Sequence, residues 1–154
     1  MITLMTGGSA CGKSSYAESL AVRLNGPRYY LAAMQPYGEG GAEKIARHRE
    51  MRRGKGFETI ERYRDYASLE LENKGGTALL ECICNLTANE MFDDAGKVSE
   101  PYARVISGVE HVAAQCSNLI GITNDVGSDA GVYSDETMRY VRALGRINIA
   151  LARM

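Results

Sequence analysis

A short segment near the amino end combines glycines with a lysine and a serine at fixed spacing. Residues 7–14 read Gly-Gly-Ser-Ala-Cys-Gly-Lys-Ser, which matches the pattern G-x-x-x-x-G-K-[ST] in full. Glycines let the backbone turn its N–H groups inward around a polyphosphate, and the lysine supplies a mobile charge for the outer phosphates. The hydroxyl of Ser14 can complete the coordination shell of Mg²⁺. The segment predicts a nucleoside triphosphate site formed by Gly7, Gly8, Ser9, Ala10, Cys11, Gly12, Lys13 and Ser14.

A single acidic residue follows a short apolar run in the middle of the chain. The run Thr77–Leu80 is predicted to be a buried strand, and Glu81 comes directly after it. Proteins with this type of phosphate loop place an acid at such a strand end, where it binds Mg²⁺ directly or through water. A carboxylate at a strand end can also cap the next helix. We therefore expect Glu81 at the nucleotide and metal site, with the capping role as the alternative.

One of the two histidines has basic neighbours at helical spacing. A charged helix is predicted from about Ala42 to Arg53, and on it His48 shares a face with Lys44, Ile45, Met51 and Arg52. Nearby cations disfavour the imidazolium, so His48 is expected to be neutral, as a nucleophile must be. The same cations would stabilise phosphate oxygens during an in-line displacement. The alternative is a solvated surface histidine, whereas His111 lacks such neighbours and is expected to be structural.

The elements that position these residues follow from apolar runs, helical periodicity and glycine breaks. Strands are predicted at Thr3–Thr6, Arg28–Met34, Thr77–Leu80 and Asn118–Thr123, with a further short piece at Phe57–Ile60. Helices are predicted at Lys13–Leu24, Ala42–Arg53, Tyr66–Glu72, Leu86–Phe92, Glu100–Cys116 and from Ser134 onward. Strands that alternate with helices at this spacing form a mostly parallel sheet covered on both faces. The predicted fold class is α/β, a P-loop NTPase-like three-layer domain with a mostly parallel sheet flanked by helices.

The size and charge of the chain exclude several classes of protein. Its 154 residues suit one domain, so residues 1–154 are expected to form a single P-loop nucleotide-binding domain. The net charge of -1 argues against a nucleic-acid-binding domain with a dominant basic field. No apolar run approaches the roughly 18 residues that a membrane span needs. The four cysteines lack the spacing of a disulfide scaffold, which favours reduced thiols and a cytoplasmic location.

Six stretches, in order along nearly the whole chain, extend the pattern beyond the phosphate loop. They are Gly7–Glu18, Lys44–Arg52, Phe57–Glu61, Leu79–Cys82 with Asn89, Thr123–Gly127 and Gly145–Asn148. Together they resemble the bifunctional adenosylcobinamide kinase / adenosylcobinamide-phosphate guanylyltransferase family of cobalamin biosynthesis. The resemblance implies phosphorylation of the aminopropanol hydroxyl of adenosylcobinamide, with GTP or ATP as donor and Mg²⁺ as cofactor. It also implies transfer of a guanylyl group onto that phosphate, with release of pyrophosphate.

The resemblance assigns roles to individual residues as well. It makes His48 the nucleophile that takes GMP from GTP as a phosphoramidate, and it makes Glu61 the acid that contacts guanosine. A carboxylate suits that contact because it accepts two N–H bonds from a guanine edge; an ordinary surface glutamate is the alternative. Backbone groups of a strand end and two arginines complete the expected nucleotide site: Ala32, Ala33, Met34, Arg49 and Arg52. The family also implies a homo-oligomer.

The sequence departs from the family's pattern at several points. Lys44 replaces an arginine, Asp125 replaces a glutamate, and Ala33-Met34 stands where a hydroxyl residue is usual. The segment Asp129–Val132 differs from the usual G-I-V-P, which affects the cobinamide side of the site. Family members continue into a closing apolar strand, whereas this chain stops at Met154. A shortened form and an edge covered by a partner subunit are the two explanations we consider.

Two other functions are compatible with the phosphate loop. The first is a P-loop kinase for another small metabolite, which uses Lys13, Ser14 and Glu81 and gives His48 no role. The second is a non-catalytic GTP-binding relative, in line with the departures near the C-terminus. Arg146 either reaches a phosphate or is one more charge on the last helix.

Overall fold

The computed structural model describes residues 1–36, 40–126 and 131–154, with the side chain of Lys44 left out. Within these ranges five strands form a sheet: β1 (Ile2–Met5), β2 (Arg28–Ala32), β3 (Phe57–Glu61), β4 (Thr77–Leu80) and β5 (Asn118–Ile122). The helices of the same ranges are α1 (Lys13–Arg23), α2 (Gly41–Arg52), α3 (Ile83–Met91), α4 (Tyr102–Gln115) and α5 (Asp135–Ala152). None of these helices is long and apolar enough to cross a lipid bilayer.

The sheet is parallel throughout the described strands, in the order β1-β5-β4-β2-β3. All carboxyl ends of the strands therefore meet at one edge of the sheet, where parallel α/β proteins bind their ligands. The phosphate loop follows β1 and Glu81 follows β4 at that edge. The sheet confirms the predicted α/β class.

Side chains of the strands alternate between two apolar layers, as the period of a strand requires. On β2, Tyr29 and Leu31 pack in the larger layer under α3, α4 and α5. Tyr30 points the other way and packs with Ala17 and Ala21 of α1. Helices on both faces bury all four residues of β4, which explains why its sequence is a continuous apolar run rather than an alternating one.

Helix α3 begins three residues before its predicted start. Cys82 is the N-cap, and its sulfur accepts the N–H of Asn85 at 3.4 Å. This contact leaves Glu81 outside the helix, so the alternative role of Glu81 as a helix cap is wrong. The carboxylate is therefore available to the site.

The predicted helix Tyr66–Glu72 is wrong: the chain forms only one 3-10 turn, Tyr66–Ser68. Side chains of α4 form hydrogen bonds with backbone groups of this segment that would otherwise bond within a helix. The N–H of Leu71 donates to Oε1 of Gln115 at 2.9 Å, and Nε2 of Gln115 donates to the carbonyl oxygen of Leu69 at 2.7 Å. Nε2 of His111 lies 3.1 Å from the same oxygen, which is the structural role expected for it.

Candidate active site

The phosphate loop has the backbone that its glycines were predicted to allow. Gly12 has φ 87° and Ala10 has φ 55°, so the chain enters the left-handed region twice before α1 begins. Gly12 is the N-cap of α1, and its lack of a side chain leaves the first N–H groups of the helix accessible. Nζ of Lys13 contacts the carbonyl oxygen of Gly8 and lies 3.6 Å from the sulfur of Cys11. Helix N–H groups and an ammonium group at one place suit a polyphosphate.

The end of β4 brings the predicted acid and the predicted nucleophile together. Oε1 of Glu81 lies 3.0 Å from Nδ1 of His48, although the residues are 33 positions apart. The N–H of Glu81 donates to the carbonyl oxygen of Leu31 at 3.1 Å, which anchors the acid to the neighbouring strand. Glu81 is 6% exposed and His48 is 23% exposed. The direct partner of the His48 ring is therefore an acid, although the sequence pattern emphasised its basic neighbours.

Arg52 lies one helical turn beyond His48 and is buried against an aromatic ring. Its guanidinium carbon is 3.5 Å from the centre of the Tyr30 ring, and the residue is 6% exposed. Within the described part of the chain, Nε and Nη1 of Arg52, the hydroxyl of Tyr30 and Oε2 of Glu81 are buried without a hydrogen-bond partner. Burial and the Glu81 carboxylate raise the pKa of Tyr30, so its phenol stays protonated. Buried polar atoms without partners cost free energy, and such groups concentrate at functional sites.

These side chains line a narrow cleft between α2 and the carboxyl ends of β2, β3 and β4. Its lining residues are Ala32, Met34, Ile45, His48, Arg49, Arg52, Glu61 and Glu81. The cleft has room for about one water molecule. Ala33 was predicted with its two neighbours, but it is fully buried in the core and does not line the cleft. The phosphate loop lies apart from the cleft: β5 separates β1 from β4, which makes those strands ~10 Å apart across the sheet.

Glu61, the predicted guanosine contact, lies at the rim of the cleft. Nη2 of Arg49 donates to its Oε1, so two predicted nucleotide-binding residues pair with each other. Both side chains are substantially exposed, at 57% for Arg49 and 41% for Glu61. Exposed ion pairs contribute little to stability, so a ligand can compete for either partner at low cost.

Asn89 holds the strand end that borders the cleft. Its Nδ2 donates to the carbonyl oxygens of Ala33 at 2.8 Å and Tyr63 at 3.0 Å, and its Oδ1 accepts from Gln35 at 3.0 Å. These bonds fix the segment after β2 against α3. Asn89 therefore supports the site without lining it.

Two thiols follow Glu81 and link α3 to the end of β5. Hydrogen bonding from Cys82, and then from the backbone of Asn124 and the hydroxyl of Thr123, lowers the pKa of Cys84 to about 6. The N–H of Asn124 donates to the Cys84 sulfur at 3.2 Å. The same hydrogen bonding and burial raise the pKa of Cys82. The contacts of the Cys84 sulfur with Thr123 and Asn124 therefore tie α3 to the end of β5.

The later motifs lie outside the cleft. Arg146 lies over the ring of Tyr102, 5.0 Å from its centre, and 4.0 Å from Glu100; its contact with a phosphate stays a prediction. The N–H of Asp125 donates to the carbonyl oxygen of Gly7 at 3.2 Å, which joins the segment after β5 to the phosphate loop. Residues 127–130, which include the first half of the altered segment Asp129–Val132, lie outside the described residues.

Two residues of the site were missed by the sequence analysis. Tyr30 was predicted only as part of a strand, and Ile45 only as a residue on the same helix face as His48. A signal for Tyr30 existed, because the alternation along β2 places it on the opposite face from Tyr29 and Leu31. Nothing in the sequence indicated that this face would carry Arg52.

The parallel sheet, the loop after β1 and the acid after β4 define a P-loop nucleotide-binding protein. The sequence model of a family described as cobinamide kinase / cobinamide phosphate guanyltransferase matches residues 3–154. The chain belongs to this family. It is 27% identical over 165 residues to the bifunctional adenosylcobalamin biosynthesis protein CobU of Escherichia coli (strain K12), with 99% of this chain and 90% of that protein covered.

Membership confirms the activity that the sequence resemblance implied. The chain is a nucleotide-binding enzyme of cobalamin biosynthesis, with the kinase and guanylyltransferase activities of its family. The match also confirms the family that the six stretches together resembled. The roles of single residues are a separate question, which the geometry of the cleft addresses.

Proposed function

We propose that His48 carries the guanylyl group as a GMP-histidine intermediate, with GTP as the donor. The observation that supports this role most directly is the position of His48 in a cleft with Arg52 and Glu81, at the sheet edge where the phosphate loop also lies. A half-buried imidazole beside a buried cation suits attack on a phosphate. A surface histidine on an Arg-rich helix would not have a buried acid as its partner.

The proposed transfer has two steps. A ring nitrogen of His48 attacks the α-phosphorus of GTP, the bond to the bridging oxygen breaks, and pyrophosphate leaves. A phosphate oxygen of adenosylcobinamide phosphate then attacks the same phosphorus, and the nitrogen–phosphorus bond breaks. The unpaired guanidinium nitrogens of Arg52 would stabilise the charge on the α-phosphate during both steps.

The phosphate loop, Gly7–Ser14, is proposed to bind the outer phosphates in both reactions. In the kinase reaction the γ-phosphoryl group of GTP or ATP passes to the aminopropanol hydroxyl of adenosylcobinamide, with Lys13 on the transferred group. The hydroxyl of Ser14 and the carboxylate of Glu81 would hold Mg²⁺, and the unpaired Oε2 of Glu81 is an oxygen ligand of the hard type that this ion takes. The ion would neutralise charge on the phosphates.

The rim of the cleft is proposed to select guanine. Glu61 accepts N–H bonds from the base edge once Arg49 is displaced, and backbone groups at Ala32 and Met34 lie along the nucleotide. Because the cleft has room for about one water molecule, α2 must move away from β2 before a base enters. We also propose that residues 1–154 act as a single nucleotide-binding domain in the cytoplasm, assembled as a homo-oligomer.

Labelling with α-labelled GTP and Mg²⁺ tests the intermediate. We expect acid-labile, base-stable label on the wild-type chain, none on His48→Ala, and full label on His111→Ala, which removes the other histidine. Absence of label on the wild-type chain would contradict the covalent route and favour a kinase without an intermediate. Label retained by His48→Ala would place the GMP on another residue.

A further inference from the structure

We infer that Glu81 is a positioning residue for His48: its carboxylate fixes the proton of the imidazole on Nδ1 and so keeps the lone pair on Nε2 for the attack. This inference rests on the proposed GMP-histidine intermediate and names a residue through which that intermediate is controlled. It is separate from the role of the same carboxylate as a magnesium ligand.

The contact itself defines the tautomer. A carboxylate has only acceptor atoms, so the bond of 3.0 Å between Oε1 of Glu81 and Nδ1 of His48 requires the imidazole to donate. In a neutral ring with the proton on Nδ1, Nε2 is the nucleophile. A ring with the opposite tautomer would present an N–H group to the phosphorus and would not react.

The carboxylate is held in place before any ligand binds. Its backbone N–H is bonded to Leu31 in the sheet, and Glu81 is 6% exposed. His48 lies on α2 and is the more exposed partner, so the anchored carboxylate of Glu81 orients the imidazole of His48. Because the Glu81 carboxylate is already ordered, little entropy is lost in positioning it when the reaction occurs.

The same carboxylate compensates the charge that the reaction creates. When the Nε2–phosphorus bond forms, the ring keeps the proton on Nδ1 and becomes cationic. The Glu81 carboxylate then lies directly against the new positive charge, in a buried environment where electrostatic interactions are stronger than in water. When the acceptor phosphate breaks the nitrogen–phosphorus bond, the ring returns to neutrality with its proton in place.

The two oxygens of Glu81 allow the positioning role and the metal role to be separated. Oε1 contacts His48, whereas Oε2 has no hydrogen-bond partner within the described residues. A carboxylate present only as a metal ligand would not need the contact with Nδ1. The positioning role therefore predicts an effect in protein that contains neither metal nor nucleotide.

Nitrogen NMR of protein labelled in its histidines detects that effect. The chain has two histidines, so His111 is an internal reference, and its signals are assigned with His111→Gln. At pH 8.5, where an ordinary imidazole is neutral, we expect the Nδ1–H tautomer of His48 in the wild-type chain without Mg²⁺ or nucleotide. In Glu81→Ala we expect the Nε2–H form that a free imidazole side chain prefers. An unchanged tautomer in Glu81→Ala would overturn the inference.

A matched control removes a different buried carboxylate. Glu90 is 8% exposed and pairs with Arg104 at 2.8 Å, far along α3 from the cleft. Glu90→Gln should leave the His48 tautomer as in the wild-type chain. Glu81→Gln, whose amide can donate to Nδ1, is the second test variant if the alanine variant does not fold.

Single-turnover labelling with α-labelled GTP gives the functional readout. At saturating GTP and Mg²⁺ we expect Glu81→Ala to form label about 10- to 100-fold more slowly, by analogy with the loss of hydrogen-bond partners of metal-ligating histidines, and Glu90→Gln to match the wild-type rate. Loss of the magnesium role would raise the half-saturating concentrations of GTP and Mg²⁺, which saturating conditions offset, so the loss of maximal rate reports the positioning role. Recovery of the wild-type rate at raised Mg²⁺, or no loss of rate, would overturn the positioning role alone. Absence of label on the wild-type chain would instead overturn the proposed intermediate.

Discussion

Arg52 is the residue at which stability and function are most clearly opposed. Its guanidinium is buried over Tyr30, and two of its nitrogens lack hydrogen-bond partners among the described residues. The contact with the ring contributes about 0.5–2 kcal/mol, whereas a buried cation that leaves nitrogens unpaired costs several kcal/mol. Arg52 therefore costs the fold more free energy than its ring contact returns, which indicates a role in the site rather than in stability.

We therefore predict that Arg52→Met keeps the fold and loses the reaction. The apolar side chain fills similar space without the desolvation cost, so the free energy of unfolding should fall by no more than about 1 kcal/mol. Formation of GMP-labelled protein should fall by about 100-fold, since one charged donor to the reacting phosphate is lost. Denaturant unfolding measures the stability, and labelling with α-labelled GTP measures the reaction.

Arg53→Met is the control, because Arg53 is 80% exposed and pairs only at the surface with Glu50 among the described residues. A large loss of stability in Arg52→Met would contradict the prediction.

The sequence was enough to predict which residues are candidates for the site, but not which of them contact each other. Motif position was enough to predict His48, Glu61 and Glu81 as candidates, and all three line one cleft. Their partners depend on how α2 lies against the ends of β2 and β4, which no local pattern encodes. The direct contact of His48 with Glu81 is an example, since the two are 33 residues apart.

At the scale of the elements, local sequence patterns predicted the strands and helices that depend on their own residues. The prediction was wrong for a segment whose backbone hydrogen bonds come from another element. The alternation of strands and helices depends on apolar runs and glycine breaks, which the sequence shows directly. The segment Tyr66–Glu72 has a composition compatible with a helix, yet Gln115 and His111 of α4 bond its backbone. The close approach of α4 to this segment depends on Gly108.

Glycine substitutions in two helices test that packing. A Cβ at Gly108 would lie 2.7 Å from Cβ of Tyr66 and 3.3 Å from the backbone nitrogen of Ala67. We predict that Gly108→Ala lowers the free energy of unfolding by about 1–3 kcal/mol, because the cost of overpacking exceeds the helix propensity of alanine. Gly145→Ala is the matched control within α5: apart from its own helix backbone and chain neighbours, no atom of the described residues would lie within 4 Å of its Cβ, so it should raise the free energy of unfolding by up to about 1 kcal/mol. Equal effects of the two substitutions in urea unfolding would show that α4 does not pack as described.

At the scale of the whole molecule, the parallel sheet was predictable and its strand order was not. Parallel pairing follows from the crossover length between strands, because the predicted strands alternate with helices along the sequence. The order β1-β5-β4-β2-β3 depends on which strands pair across long separations. That order decides the geometry of the site, because it places β5 between the phosphate loop and Glu81. The cleft and the loop are thus two parts of one sheet edge, and the segment after β5, which lies between them, is bonded to the loop through Asp125 and Gly7.

Because both parts belong to one cooperative sheet, binding of a triphosphate at the loop should stabilise the whole chain. A ligand at 100 times its dissociation constant adds about 2.7 kcal/mol, which raises the melting temperature of a chain of this length by roughly 5–10 °C. We predict this shift for Mg²⁺-GTP in a thermal melt of the wild-type chain.

Lys13→Ala should lose most of the shift while melting near the wild-type temperature without ligand, since the described contacts of Nζ are confined to its own loop, at Gly8 and Cys11. Lys97→Ala removes an exposed lysine in the connection between α3 and α4 and should keep the full shift. A shift that survives in Lys13→Ala would mean that GTP stabilises the chain without its outer phosphates in the loop, and the cleft beside His48 would then be the primary binding site.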